Sequence, residues 1–256
     1  NNEILNTLRL QEQDLLAGYD SPAAESFPAQ FRSPQGNWHG FAARARVLLV
    51  NTDVVGENER PTSIHDLGDP AWRGRTAIAK PLFGTTATHA ACLFAHLGED
   101  EARAFFRKLK ENEIQILSGN KQVAISVATG QTAFGLTDTD DAIIELEAGH
   151  PVTIVFPDQG DDQMGTLFIP NTLCILKGCP HPEHARELVE YLLGPAVEQR
   201  LAEGPSAQFP VSNKVQVSSR VAPKTPVRWA DVDFRAAAEQ WEEAAQFLRD
   251  LFATAQ

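Results

Sequence analysis

Two short segments of this sequence combine small polar side chains with the pattern of a helix start. They are Gly84-Thr85-Thr86 and Gly119-Asn120. The first backbone N–H groups of a helix have no partner inside the helix, and the helix dipole is positive there, so both segments are suited to bind an anion. Simple N-capping by Thr86 and Asn120 is the structural alternative. The sequence leaves both interpretations open.

A third segment is acidic. Asp138, Asp140 and Asp141 place three carboxylates within four residues, directly after an apolar run that predicts a strand. One helix cap needs only one such side chain, so the run also suggests a ligand or metal site. A further alternative is a phosphatase-like enzyme with Asp138 as the nucleophile and Asp140 as the acid/base. Its pattern is incomplete, because Ala142 stands where such enzymes usually carry Thr or Val.

Two other groups have weaker patterns. The spacing of one cluster superficially resembles a zinc site, but one of its cysteines falls within an apolar strand and Pro182 begins a helix, so its side chains need not converge. This cluster consists of Cys174, Cys179, His181 and His184. Arg44 and Arg46 are two residues apart at a predicted strand start and point the same way. Such a pair is ordinarily solvated, and it would hold an oxyanion only in a cleft.

The elements that must position these residues alternate between strands and helices, which predicts an α/β domain with a largely parallel sheet. The apolar runs predict strands at 47–50, 76–79, 114–117, 133–136, 152–156 and 167–176. Helical periodicity predicts helices over 1–17, 86–97, 100–110, 120–130, 141–149, 182–193, 195–203 and 235–252.

Composition excludes some classes of protein. The 256 residues include 22 Lys+Arg and 34 Asp+Glu, which gives a formal net charge of −12. A general nucleic-acid-binding protein needs a basic surface, so we expect no nucleic-acid partner. No apolar run approaches the roughly 18 residues that span a bilayer.

Several longer stretches together resemble the periplasmic ferric-ion-binding proteins of bacterial ABC importers. They are VLLVNTD, PTSIHDLGDPAWRGRTAIAKPLFGTTATHAA, SGNKQVAISVATGQTAFGLTDTDDA, VTIVFPDQGDDQMGTLFIPNT and KGCPHPEHARELVEYLLGPAVEQRLAEGP. The resemblance covers nearly the whole chain and keeps the order of the motifs. It implies a type II periplasmic-binding-protein fold, with two α/β lobes joined by crossover strands and the ligand in the cleft between them.

The same resemblance implies a domain layout. Residues 1–48 and 157–213 would form a first lobe, 49–156 a second lobe, and 214–256 a C-terminal helical segment on the second lobe or hinge. A signal peptide and the opening βαβ unit would precede Asn1, so the first lobe would be incomplete in this sequence. We expect the exposed strand edges of such a lobe to favour a homodimer.

The resemblance also implies site residues. Glu3 or its neighbour Asn2 falls where the family often places a carboxylate ligand. Thr139-Asp140 stands where typical members carry the tyrosine pair that binds Fe³⁺, so Asp138, Asp140 or Asp141 would substitute, and Asp138 and Asp140 are the expected ligands. The residues implied to contact a synergistic anion are Arg44, Arg46, Gly84, Thr85, Thr86 and Asn120.

The implied function is that of a solute-binding component of an ABC importer. It would bind Fe³⁺ or another metal ion, with or without a synergistic anion. The protein would act in the periplasm or another extracytoplasmic compartment and deliver its cargo to an ABC transporter permease. An organic-solute or anion binder on the same scaffold is the main alternative, and the phosphatase-like enzyme is a weaker one.

Overall fold

The computed structural model describes residues 3–253 of the chain. The strands are β1 Leu16–Ala17, β2 Trp38–Asn51, β3 Thr76–Ala79, β4 Gln115–Leu117, β5 Phe134–Asp138, β6 Val152–Val155 and β7 Phe168–Leu176. The helices are α1 Ile4–Glu12, α2 Gly84–Leu97, α3 Glu99–Glu111, α4 Asn120–Ala128, α5 Thr139–Glu147, α6 Pro182–Leu192, α7 Pro195–Glu203, α8 Phe234–Glu239 and α9 Trp241–Phe252. This α/β architecture is the fold class that the sequence predicts.

The chain divides into two compact units. The first comprises the chain up to Arg44 together with Ile169–Ala222, and the second comprises Ala45–Phe168 and the chain from Pro223 onward. Hydrogen bonding orders the strands β1-β7-β2-β5-β3-β4, with β6 also paired to β2. The 14-residue strand β2 contributes its first half to the first unit and its second half to the second.

The sheet of the second unit is mixed. Strand β3 pairs in parallel with β4 and with β5, as the alternation of strands and helices predicts. Strand β2 runs the other way and pairs antiparallel with both β5 and β6. The expectation of a largely parallel sheet is therefore wrong for β2 and β6, because β2 enters this sheet as a long strand and not as part of a β–α–β repeat.

Helices α2, α3 and α9 bury their apolar faces in the core of the second unit. Phe94 of α2 stacks on Phe106 of α3 at a ring-centroid distance of 6.4 Å and lies 6.0 Å from Phe247 of α9. Aromatic side chains contribute most of the apolar area that such helix contacts bury. The C-terminal helix is thus part of this core, although the predicted helix over 235–252 is divided near Gln240.

In the first unit, α1 is followed by the short strand β1, which pairs antiparallel with the end of β7 through Leu16 and Leu176. The predicted helix over 1–17 is therefore too long. It ends at Glu12, and Asp14 has a positive φ of 57° that no α-helix accommodates. None of the helices in residues 3–253 is long and apolar enough to cross a membrane.

Candidate functional site

Arg46 and Asp138 form a buried ion pair at the end of strand β5 in the sheet of the second unit. Asp138 is the last residue of β5, and the antiparallel register places it directly opposite Arg46 of β2. Arg46 Nη1 lies 2.6 Å from Asp138 Oδ1, and the two side chains are 0% and 4% exposed. Strand register therefore sets this contact, as it does for other cross-strand pairs.

The starts of two helices add further partners. Thr85 in the first turn of α2 donates to Asp138 Oδ2 at 2.5 Å, and Asn120 at the start of α4 donates to the same oxygen at 2.8 Å. Both oxygens of Asp138 are thus hydrogen-bonded. A buried carboxylate with a guanidinium and two neutral donors has the set of partners that makes burial of its charge tolerable.

The same side chains also hold Arg46. Its Nη1 donates to Asn120 Oδ1 at 3.1 Å and to Thr85 Oγ1 at 3.2 Å, while its Nη2 donates to Thr86 Oγ1 at 3.2 Å. Phe83 and Gly119 are the N-cap residues of these two helices, and neither makes a side-chain cap. The capping alternative for Thr86 and Asn120 is therefore wrong, because both side chains are directed to the ion pair.

Gly84 is the first residue of α2 and has a φ of +63°. This conformation is open to glycine at little cost, and it lets the chain turn from Phe83 into the helix. A Cβ at this position would meet no atom within 4 Å. The glycine is thus needed for the turn and not for a close contact.

His89 lies one turn further along α2 and is buried. Burial, and secondarily the charge of Arg46, lowers the pKa of His89 to about 3. The imidazole is therefore neutral at any ordinary pH, and Arg46 remains the cation of this cluster. His89 is not predicted as a site residue from the sequence, since a histidine in an otherwise apolar helix looks like an ordinary core residue.

The three aspartates meet at the start of α5. One carboxylate oxygen from each of Asp138, Asp140 and Asp141 lies within 4.8 Å of the others, and the last two side chains are half-buried. Thr139 lies between Asp138 and Asp140 in the sequence. Its hydroxyl accepts a hydrogen bond from the Ala45 N–H at 3.1 Å, which connects α5 to β2. Within residues 3–253, no other group of three His, Cys, Asp or Glu side chains comes this close. The cluster is the candidate metal centre.

The Cys/His cluster does not converge in this way. Cys174 lies in β7, and the rings of His181 and His184 at the start of α6 are 5.9 Å apart. The only three-residue group among the described residues does not include them.

The remaining predicted site residues belong to the first unit. Arg44 Nη2 donates to Asn171 Oδ1 at 3.1 Å. Glu3 is buried, is the N-cap of α1 and forms an isolated bridge with Asn171. Asn2 lies outside the described residues. Asn171 was missed, although a polar pair, Asn171-Thr172, within an apolar strand is a signal that could have found it.

Residues 7–237 match the family described as bacterial extracellular solute-binding protein. The chain belongs to this family. Iron uptake protein A2 of Synechocystis sp. is 29% identical to this solute-binding protein over 209 residues, which are 77% of this chain and 59% of the relative. A putative 2-aminoethylphosphonate-binding periplasmic protein of Salmonella typhi is 23% identical over 202 residues, which are 76% of this chain and 57% of the relative.

The fold is shared with solved structures. A Trichodesmium protein in complex with iron and citrate superposes with a TM-score of 0.84 at 22% identity, covering 98% of this chain and 81% of that one. The chain spans about three fifths of the length of the two iron uptake proteins of Synechocystis sp., 59% and 61%. The type II periplasmic-binding-protein fold predicted from the resemblance is confirmed.

Proposed function

We propose that this protein is the solute-binding component of an ABC importer and that it carries a metal ion of the iron type. In this role it binds and releases its cargo and catalyses no reaction. Membership of the solute-binding family supports the proposal, as does the similarity to the iron uptake proteins of Synechocystis sp.. The observation that carries the metal assignment is the convergence of Asp138, Asp140 and Asp141 within 4.8 Å.

Hard cations prefer oxygen ligands, and ionised carboxylates supply them. Asp138 could join a metal only by giving up part of its contact with Arg46, Thr85 or Asn120. We therefore assign the first ligand to Asp140, with Asp141 beside it. Ligation by Glu3 and by Asp138 stays a prediction, as does anion binding by Arg44.

The partner in this proposal is a membrane permease, and the place of action is the periplasm or another compartment outside the cytoplasmic membrane. The homodimer expected from exposed strand edges also stays a prediction. Strand β1, at one end of the strand order, has only two residues. So short a strand offers few backbone groups for pairing with another chain.

The test is elemental analysis and metal titration of protein purified without chelators. We expect the wild-type protein to bind iron and the Asp140→Ala/Asp141→Ala variant to lose at least tenfold in affinity. The matched control is Asp161→Ala/Asp162→Ala, which removes two exposed carboxylates from a loop of the same unit. Equal affinity of the wild-type protein and the Asp140/Asp141 variant would contradict the proposal.

The iron-loaded protein should also lack an intense visible band. Such a band arises from phenolate bound to Fe³⁺, and the sequence contains only two tyrosines. Tyr19 donates to Glu190 at 2.9 Å, and Tyr191 is 68% exposed on α6. A strong red colour on loading would show that a tyrosine is a ligand after all.

A zwitterionic organic solute, such as an aminophosphonate, is the second candidate. Carboxylates that attract an ammonium group lie at the start of α5, and the helix starts of α2 and α4, which attract an anion, contact the same segment at Asp138. The name of the Salmonella typhi relative points to this class. Titration with 2-aminoethylphosphonate in the absence of metal distinguishes the candidates, because only the second predicts binding under that condition.

A further inference from the structure

The carboxylate of Asp138 occupies the position predicted from the sequence for an external anion. The anion was expected to contact Arg46 and the side chains that begin α2 and α4. Instead, Arg46, Thr85 and Asn120 all donate to Asp138, at 2.6, 2.5 and 2.8 Å. Thr86 completes the arrangement by accepting from Arg46 at 3.2 Å. The donors therefore already hold an oxyanion, which is part of the chain.

The positive charge of Arg46 is balanced without a ligand. Asp138 contributes one negative charge against it, and His89 is neutral because its pKa is lowered to about 3. Asp140 and Asp141 add further carboxylates close to Asp138. A second anion placed against Arg46 would lie next to the Asp138 carboxylate and would be repelled by it. It would also have to displace the buried hydrogen bonds that Arg46 and Thr85 make to Asp138, which is costly.

We propose that Asp138 is a built-in counterion that takes the place of a synergistic anion. The proposal has two consequences: solute binding needs no phosphate, carbonate or citrate at Arg46, and the wild-type protein binds none of these anions there. It deepens the proposed function and rests on it only for the identity of the cargo. Asp138 is a positioning residue, since it fixes Arg46 and the starts of α2 and α4.

Chemical rescue tests this directly, without any metal. Asp138→Ala removes the carboxylate and leaves a space of the size of formate, and Asp138→Gly leaves a space of the size of acetate. The uncompensated Arg46 should lower the midpoint of thermal unfolding by about 10 °C. Formate should restore most of the lost midpoint temperature in the Ala variant, and acetate should do so in the Gly variant. Chloride at the same ionic strength is the salt control and should not restore it. The wild-type midpoint should not respond.

The matched control is Asp141→Ala, which removes a carboxylate from the same turn but not from the ion pair. Its midpoint should be insensitive to formate. A folded Asp138→Ala protein that ignores formate, or that responds no more than Asp141→Ala, would overturn the proposal.

A measurement on the unmodified protein covers the case in which the variants do not fold. The metal-free wild-type protein is titrated calorimetrically with inorganic phosphate and with citrate, and we expect no binding at this site. The Asn120→Ala variant identifies the site, because any anion bound there would be lost in this variant. Sub-millimolar binding that this substitution abolishes would contradict the proposal. Failure of iron binding would instead contradict only the metal assignment, because neither experiment uses iron.

Discussion

Two buried carboxylates, one in each unit, are held in different ways. Asp138 of the second unit is held by side chains, namely Arg46, Thr85 and Asn120. Glu198 on α7 of the first unit is 0% exposed and accepts three backbone N–H groups. Its donors are Ala42 at 2.6 Å, Val211 at 3.0 Å and Ser212 at 2.9 Å.

The difference separates a charge that is balanced by another side chain from a charge that is held by the main chain. The donors to Asp138 belong to three separate side chains, whereas the donors to Glu198 are backbone N–H groups, which move only when the chain itself moves. Ala42, one of the donors to Glu198, has a positive φ of 39°, which is unusual for a residue other than glycine. Asn171 also holds its carbonyl oxygen at 2.5 Å. We therefore interpret Glu198 as an anchor for the backbone around Ala42, and Asp138 as the counterion of Arg46.

The largest expected effect is that of Arg46→Ala. Removal of one partner leaves the Asp138 charge buried without compensation, so the free energy of unfolding should fall by about 3–5 kcal/mol. The double variant Arg46→Ala/Asp138→Ala should recover part of this loss, because it leaves no unpaired charge. Urea denaturation of the two variants measures the difference.

The control for this pair is Arg73→Ala, which breaks an ion pair with Glu113 whose side chains are 61% and 62% exposed. That change should cost less than about 1 kcal/mol. If Arg46→Ala cost no more than Arg73→Ala, the buried pair would contribute no more to stability than an exposed one.

Glu198→Gln should have the next largest effect. The amide retains one acceptor oxygen but points its NH₂ group at a backbone donor, so at least one charge-assisted hydrogen bond is lost. The free energy of unfolding should fall by about 1.5–3 kcal/mol. Glu203→Gln, an exposed position near the end of the same helix, is the control and should be nearly neutral. Small carboxylates should not rescue the Glu198 variant, since its side chain leaves no space. If formate stabilised the Glu198→Gln variant, the distinction between a carboxylate held by side chains and one held by the backbone would not hold.

His89 makes the second unit sensitive to acid. Its pKa is lowered from 6.5 to about 3, so the unfolded chain binds a proton at a higher pH than the folded protein does. Stability is complete above pH 6.5 and falls as the pH decreases toward 3; at pH 5.5 the loss is about 1.4 kcal/mol.

His89→Gln should abolish this part of the acid dependence, as measured by urea denaturation at pH 7.5 and 5.5. His96→Gln, at an exposed position of the same helix, should leave it unchanged. An acid dependence that is the same in the His89 variant and in the wild-type protein would contradict the assignment.

The sequence identified most members of the Asp138 site and no member of the Glu198 site. Thr85, Asn120 and Asp138 stand at helix or strand ends, where short polar motifs are visible. Their convergence depends on the pairing of Arg46 with Asp138 across an antiparallel ladder, and local patterns do not encode that pairing. Glu198 lies in a helix with an ordinary amphipathic sequence, in which a glutamate is expected to face solvent.

Asp158 is a third buried carboxylate, and it has weaker partners than the other two. It accepts from Ser63 Oγ at 2.5 Å and from the Ile64 N–H at 3.3 Å, and its φ is 62°. Burial raises the pKa of Asp158 above its ordinary value, although Ser63 and the nearby His65 act in the other direction. Of these three carboxylates, Asp158 has neither a guanidinium nor several backbone donors as partners. Burial therefore disfavours its ionised form.

Asp158→Asn should give the smallest change in the free energy of unfolding. Unlike the other substitutions, it should stabilise the protein at neutral pH. Because the folded-state pKa is raised, the folded protein retains this proton to a higher pH than the unfolded chain does. The stabilisation is complete below about pH 3.8 and is lost as the pH rises through the folded-state pKa. The amide has the same shape, accepts from Ser63 and Ile64, and never bears the charge. The variant should therefore be more stable than the wild-type protein at pH 7.5, by up to about 1 kcal/mol, and this gain should shrink at pH 4. Asp161→Asn in the same exposed loop should show neither effect. A variant that is less stable than the wild-type protein at pH 7.5 would mean that the ionised carboxylate is well held, so that Asp158 belongs with Glu198 and not apart from it.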